Sequence, residues 1–486
     1  MVETRNHAGD AAGTPAVQPA TVGQAPRRPG DGIAAALAQR AFRHLWLAEL
    51  LSQTALNAIW FAALVATEQE TRSTTQTSLV AVSATLPVAL CGVLAGILVD
   101  RWDKKRVLVV SNLLRIVLAA GYLAYGWSVA VIFAMNFLIN IVAQFFSPAL
   151  LATIPRLLPQ RQLTAAVGLF NVTLNLSQLL GMVLLGPPLL KLFGPEAVFV
   201  LVATVYAVAT LLVIDLPPDP PPAPVATAPA TGQPRLIGAV RRELAEGWAF
   251  VRRDRPSRLA LVYLALTWTL LLALVTLAPR YAAADDGLRV AAADASYLLA
   301  PAGLGMALAA GLLDRLTRRV GRWRLVGLGL LGLAATLLAL SAVAPLAHQI
   351  VRGHVFGAPA RRAAHPARYT IILGRAGVAM LLTLLAGWCV GMITVSSEAV
   401  LLERAPEALR GRIFAFQLTV TNLAAVLPLL AVGGLADLVG INQVIGLTGV
   451  IVLLAWLATA SPFVRRPPDD AAAPPGRAPG SEGGGA

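Results

Sequence analysis

Along the chain, long stretches without charge alternate with short links crowded with it. Twelve stretches approach the roughly 20 apolar residues that a helix needs to cross a bilayer. Their limits are 44–66, 77–99, 106–125, 128–152, 163–190, 195–215, 258–279, 294–313, 323–345, 371–401, 412–437 and 441–463. Each predicts a membrane-spanning helix, because a helix satisfies its own backbone N–H and C=O groups where lipid offers no partners.

Outside these runs the pattern changes. Residues 1–43, rich in Ala, Pro, Gly and polar residues, and residues 464–486, ending in PPDDAAAPPGRAPGSEGGGA, have too little to bury and read as disordered cytoplasmic tails. Between spans 6 and 7 the stretch LPPDPPPAPVATAPATGQP (216–234) is a proline-rich tether. The stretch after it places Leu236, Val240, Leu244, Trp248 and Val251 at helical spacing, with Arg241, Arg242, Arg252 and Arg253 off that stripe. It predicts an amphipathic helix on the cytoplasmic membrane surface. The expected organisation is a six-helix bundle over 44–215, a cytoplasmic linker over 216–257 and a second six-helix bundle over 258–463.

Composition agrees: 57% of the residues are apolar and 13% charged, against about 45–50% and about 25% in soluble domains. The net charge of +14 would raise the question of nucleic acid, but the basic residues sit in clusters between spans, where they act as topology signals. With the N-terminus inside, 27 of them fall on the cytoplasmic side and 9 opposite. That bias predicts a multi-pass protein of the cell's inner (cytoplasmic) membrane with both termini cytoplasmic. The basic link 347–369 runs against the bias. Its histidines, His348, His354 and His365, lack ligand-like spacing and read as a solvated loop. Cys91 and Cys389 lie in apolar segments and suggest neither disulfide nor metal site.

One charged link has an echo. GILVDRWDKKR (96–106) follows span 2, and AGLLDRLTRRVGR (310–322) follows span 8, six spans later. Asp100-Arg101 matches Asp314-Arg315, and Lys104-Lys105 matches Arg318-Arg319, which argues for duplication of a six-span unit. GILVDRWDKKR resembles the cytoplasmic signature of the major facilitator superfamily, with Asp103 where the commonest form has glycine. FFSPALLATIPRLLPQRQLTAAVGLF, LAEGWAFVRRDRPSRL and APEALRGRIFAF are similar to its branch of siderophore exporters and macrolide-type drug efflux pumps. The antiporter signature of span 5 is present in part, as Gly181, Gly186 and Pro187. The resemblance implies an all-α membrane fold of twelve helices in two pseudo-symmetric six-helix bundles that rock around a central cavity. It also implies a gate of Gly96, Asp100, Arg101, Lys104, Lys105, Asp314 and Arg315. In that gate Asp100 faces the start of span 11 at Gly411 and Arg412.

Polar residues inside lipid turn towards protein or water. Gln53, Asn57 and Trp60 form a stripe on span 1, Asn136, Asn140 and Gln144 one on span 4, and Gln417 and Thr421 one on span 11. Spans 1, 4, 7 and 10 face the cavity in the family, which adds Thr267, Trp268 and Trp388 as candidate substrate contacts. Interhelical hydrogen bonding is the alternative use of each amide. The carboxylates within spans, Glu49 and Glu398, are the candidate carriers of a coupling ion, and Arg115 is expected to anchor a structural network.

The expected function is a secondary active exporter of amphipathic organic compounds, drug-like or siderophore-like, driven by a proton or other ion gradient. An importer, a lysolipid flippase and a non-transporting receptor or scaffold are the alternatives. No nucleophile–base pair, metal spacing or phosphate-binding glycine loop points to an enzyme or a cofactor. The expected partners are a small-molecule substrate, the bilayer and an ion gradient, without nucleic acid, for a monomer.

Overall fold

The computed structural model describes residues 32–125, 128–218, 236–284, 287–351, 365–406 and 409–465. Its helices are α1 (Ile33–Ala38), α2 (Arg40–Thr71), α3 (Thr74–Arg101), α4 (Lys104–Tyr125), α5 (Val129–Leu157), α6 (Leu163–Gln178), α7 (Gly186–Ile214) and α8 (Leu236–Arg253). They continue with α9 (Arg255–Ala283), α10 (Ala295–Val320), α11 (Arg322–Val351), α12 (His365–Arg404), α13 (Arg410–Val439) and α14 (Ile441–Arg465).

Eleven runs among the described residues are long and apolar enough to cross a membrane, and one of them, Gln160–Ile214, has 55 residues. At 1.5 Å per residue that run is more than twice the roughly 30 Å of a hydrocarbon core. It therefore crosses twice, turning at Gly194, whose φ of 79° suits glycine, with Pro195 opening the return arm. Twelve crossings result among the described residues, and α2 enters from the same face at which α14 leaves. We call that face near and the other far.

Local chemistry sets the helix ends. Ser73, Ser128 and Asp254 cap α3, α5 and α9 by accepting from the N–H groups of Gln76, Val131 and Ser257. Gly321 and Gly440, with φ of 86° and 96°, end α10 and α13.

Helices α2–α7 form one half and α9–α14 the other. In the first, α3 packs on α5 and α2 on α7; in the second, α10 packs on α12 and α11 on α14. Apolar clusters fill both: Ile59, Leu64, Tyr122 and Phe199 in the first half, and Leu298, Leu330, Leu337, Ile393 and Val444 in the second. Phe61, Val65 and Met182 of the first half join the second cluster, so the core is continuous across the interface.

Two expectations need correction. The N-terminal tail does not extend to residue 43, because α1 and the start of α2 occupy 33–43 and bury Ala36 and Phe42. The linker helix α8 does not lie on the membrane surface alone: part of its apolar stripe docks on the second half. Leu244 and Val251 pack with Leu261, Leu401, Ile413 and Phe416 of the second half, and Trp248 tilts against Phe416 with ring centroids 6.4 Å apart. A protein face offers the stripe the same burial as lipid does, with fixed shape in addition. The histidine-bearing link 347–369 has no described side chains, and residues 352–364 lie outside the described residues altogether.

Candidate functional site

The halves meet most firmly at the far face. Glu68, near the end of α2, accepts hydrogen bonds from Arg280 Nη1 of α9 and from Thr77 Oγ1 of α3, each at 3.4 Å. Lys191 pairs with Asp294. Asp437, near the end of α13, accepts from the Thr74 and Thr75 N–H groups at 2.7 and 2.9 Å, and from the Ser73 and Thr75 hydroxyls at 2.8 and 2.7 Å. One turn earlier, Gly433 lets α13 approach Ser78 and the Thr74 carbonyl so closely that a Cβ would collide with them.

Midway, α3 and α13 touch through Val82, Leu86, Ala425 and Leu429, joined by Leu272 and Ala273 of α9. Further towards the near face Leu90 and Phe414 are exposed. The predicted gate residues lie here. Gly96 is half-buried and Gly411 exposed, and no atom comes within 4 Å of where their Cβ atoms would stand. Asp100, Arg101, Arg315 and Arg412 are exposed. Lys104 donates to the Asp100 and Trp102 carbonyls at 2.8 and 2.9 Å and closes the end of α3, while Lys105 donates to the Leu216 carbonyl. Arg412 pairs with Glu246 of α8, and Arg404 at 3.0 Å with Asp254, the residue that caps α9. These bonds stay within one half or run to the linker. Asp100 and Gly411 are not brought together, and the side chain of Asp314 is not among those described. Among the described residues, side-chain bonds join the halves at the far face, whereas Leu90, Asp100, Gly411 and Phe414 of the near face are exposed.

Within the first half lies a buried polar cluster. Glu49 is 3% exposed and Arg115, midway along α4, 1%. The guanidinium of Arg115 lies 4.6 Å from the Phe146 ring and 5.5 Å from that of Tyr206. Each contact is cation–π attraction, stronger where water is excluded. Arg115 Nη1 donates to Asn112 Oδ1 at 3.4 Å, Ser52 donates to the same oxygen at 3.3 Å, and Gln53 Nε2 donates to Glu49 Oε1 at 3.0 Å. Glu49 Oε2, Arg115 Nε and Nη2, Asn112 Nδ2 and the Tyr206 hydroxyl have no hydrogen-bond partner among the described residues. Such buried, unpaired groups are costly, and their concentration at one place marks this cluster as more than a packing device. Glu398 of α12 is half-buried.

The remaining candidates divide into those that bond along one helix and those that cross. Asn57 donates to the Gln53 carbonyl at 2.9 Å, Asn140 to that of Asn136 at 2.8 Å, Gln144 to that of Asn140 at 3.3 Å, and Thr421 to that of Gln417 at 2.9 Å. Asn136, fully buried, crosses instead to Ser83 Oγ at 2.7 Å and the Val80 carbonyl at 3.3 Å, inside the α3–α5 contact. Trp268 Nε1 reaches Asn422 Oδ1 of α13 at 3.3 Å. Trp60 packs against clusters of both halves, and neither its Nε1 nor Thr267 Oγ1 finds a partner among the described residues. Trp388 packs beside Met392 and Ala309.

Sequence reasoning missed Asn112, Tyr206, Glu68, Arg280, Asn422 and Asp437. The first could have been flagged by its i, i+3 spacing from Arg115. Asp437 could have been flagged as an acid at the end of span 11, with Ser-Thr-Thr opening span 2 as its donors.

Fold and interface define a multi-pass membrane protein whose two six-helix halves meet along a shared interface. The family model of the Major Facilitator Superfamily matches residues 45–357, and the chain belongs to that superfamily of transporters. It is similar to the MFS-type transporter YfiS of Bacillus subtilis (strain 168), at 24% identity over 79% of this chain and 83% of that protein. It also resembles macrolide efflux protein A of Streptococcus pyogenes, at 29% identity over 26% of this chain and 32% of that one. Among solved structures, the nucleoside transporter NupG shares the fold with a TM-score of 0.62 and 13% identity, over 86% of this chain and 98% of its own. The POT family transporter PepTSo does so with a TM-score of 0.59 and 14% identity, over 88% and 99%.

Proposed function

We propose that this protein is a secondary active exporter of amphipathic organic compounds, working by alternating access in the inner membrane with both termini cytoplasmic. The observation that carries the reading is an interface bonded across the halves at one end, with exposed gate residues at the other. Candidate contacts along it are amides, two hydroxyls and tryptophans: Gln53, Asn57, Trp60, Gln144, Thr267, Trp268, Trp388, Gln417 and Thr421. Uncharged polar groups among aromatic rings suit drug-sized amphipathic molecules better than strongly charged metabolites. The similarity to a macrolide efflux protein favours the outward direction, and the 27-to-9 basic asymmetry favours the orientation.

Glu49 carries the coupling proton in this reading. An ionised carboxylate buried so deeply needs a compensating charge, and Arg115 and a proton are the two candidates to supply it. Gln53 bonds Glu49 directly and lies one turn from Asn57, so a change in the charge of Glu49 reaches the substrate contacts through a single side chain. Counterflow of a labelled panel of macrolides, siderophores and lysolipids in proteoliposomes, with and without a pH gradient, tests the reading. Gradient-dependent efflux of an amphipathic compound is expected; accumulation indifferent to every ion gradient would reject it.

A further inference from the structure

We propose that Asp437 is the far-face latch of a two-ended lock between α3 and α13. The near cap, Asp100 on the start of α13, is the one the family resemblance implies; Asp437 on the start of α3 is its far-face counterpart, and only one cap is made at a time. The inference rests on the alternating-access reading and adds to it the residue that holds the far face shut.

The far cap is complete. The first N–H groups of a helix have no partner within it and carry the positive end of its dipole. At the start of α3 the N–H groups of Thr74 and Thr75 both go to Asp437, which comes from the other half of the molecule. The hydroxyls of Ser73 and Thr75 complete four donors on two carboxylate oxygens. Ser73 also accepts from the Gln76 N–H, so its hydroxyl serves its own helix and the partner together. Gly433 fixes the approach of α13, since any side chain there would push Asp437 away from its donors.

The near ends of the same two helices hold the complementary parts. Asp100 stands one residue from the end of α3, and Gly411, exposed and with room for a close partner, is the second residue of α13. The helices run antiparallel and touch midway at Val82, Leu86, Ala425 and Leu429. At 1.5 Å per residue, helices of 28 and 30 residues are about 42–45 Å long. A tilt about the midway contact that brings Asp100 to Gly411 therefore withdraws Asp437 from Thr74 and Thr75. The far cap is made and the near one open, as such a lever requires.

Spin labels at positions 102 and 414, both exposed at the near face, read the population directly in the full-length protein in nanodiscs, in a background lacking Cys91 and Cys389. Asp437→Asn keeps the size of the side chain but turns one acceptor into a donor facing N–H and O–H groups. It should shift the ratio of near-closed to near-open molecules about tenfold towards closed, which corresponds to about 1.4 kcal/mol. Asp437→Glu, which keeps the charge, should restore part of the parental ratio. Asp100→Asn should shift the ratio the opposite way, and the double variant should return close to the parent. Unchanged 102–414 distances in Asp437→Asn would overturn the latch, and a double variant no different from Asp437→Asn would overturn its two-ended form. The readout needs no substrate, so a shifted population without gradient-driven flux of any compound rejects the exporter reading and leaves the latch standing.

Discussion

The same helix crossing is built in two ways in the two halves. In the first half α3 crosses α5, and the contact is held by the buried amide of Asn136 reaching Ser83 and the Val80 carbonyl. In the second, the corresponding α10 crosses α12 through glycine. A Cβ on Gly305 would overlap the Leu384 carbonyl and the Trp388 N–H, and one on Gly387 would overlap the Ala302 carbonyl. The first half also carries the buried Glu49–Arg115 cluster, whereas at the rim of the second half Arg322 pairs with Glu403 and Arg404 with Asp254. The two halves thus share an architecture while differing in chemistry at this crossing. There one half relies on backbone approach and the other on a polar side chain.

That contrast can be broken first at its charged end. Glu49→Gln should lower gradient-driven transport about a hundredfold, the rate equivalent of about 2.7 kcal/mol, while binding of labelled substrate to purified protein stays within a few-fold of the parent. Glu398→Gln should keep most of the transport. Parental rates in Glu49→Gln would move the coupling site elsewhere. A smaller effect sharpens the glycine side. Gly305→Val should cost about 2 kcal/mol of stability from overpacking against backbone that cannot yield, read as a lower unfolding temperature in detergent. Gly92→Val should cost much less, because its nearest neighbour is the end of the flexible Gln144 side chain at 3.7 Å. Equal losses in the two variants would erase the difference between the halves. Smallest is Asn136→Leu, expected to cost between about 0.6 and 1.7 kcal/mol, the span from the mean to the largest value measured for hydrogen bonds between membrane helices. A cost near 3 kcal/mol would show that the amide does more than join α3 to α5.

The crossings were legible because lipid leaves the backbone no choice: a run without charge must be a helix. Glu49 and Arg115 stood out for the same reason, as charges where charge is costly. What periodicity could not supply was a partner. It placed Asn136 and Asn140 on one stripe without separating the amide that crosses to α3 from the one that bonds its own helix. It identified the apolar stripe of α8, but such a stripe meets lipid and protein alike, so the docking surface at Phe416 came only from the structure. Asp437 was passed over because its span was trimmed at that residue, and its meaning depends on α3, more than 300 positions earlier in the sequence.

The guanidinium sandwiched between Phe146 and Tyr206 has a consequence for how the protein is made. A lone arginine near the centre of a helix adds about 2.5–3.5 kcal/mol to the cost of membrane insertion, and α4 absorbs this within a run of mean hydropathy 2.0. The ring of Phe146 arrives with the next helix, but that of Tyr206 is about 90 residues downstream, several seconds or more at roughly 5–20 residues per second of synthesis. Until then only one of the two rings that flank the cation in the folded protein has been made. The first half is settled only when its sixth helix emerges, so truncations between residues 157 and 206 should leave α4 in the membrane with Arg115 still unsheltered on one side.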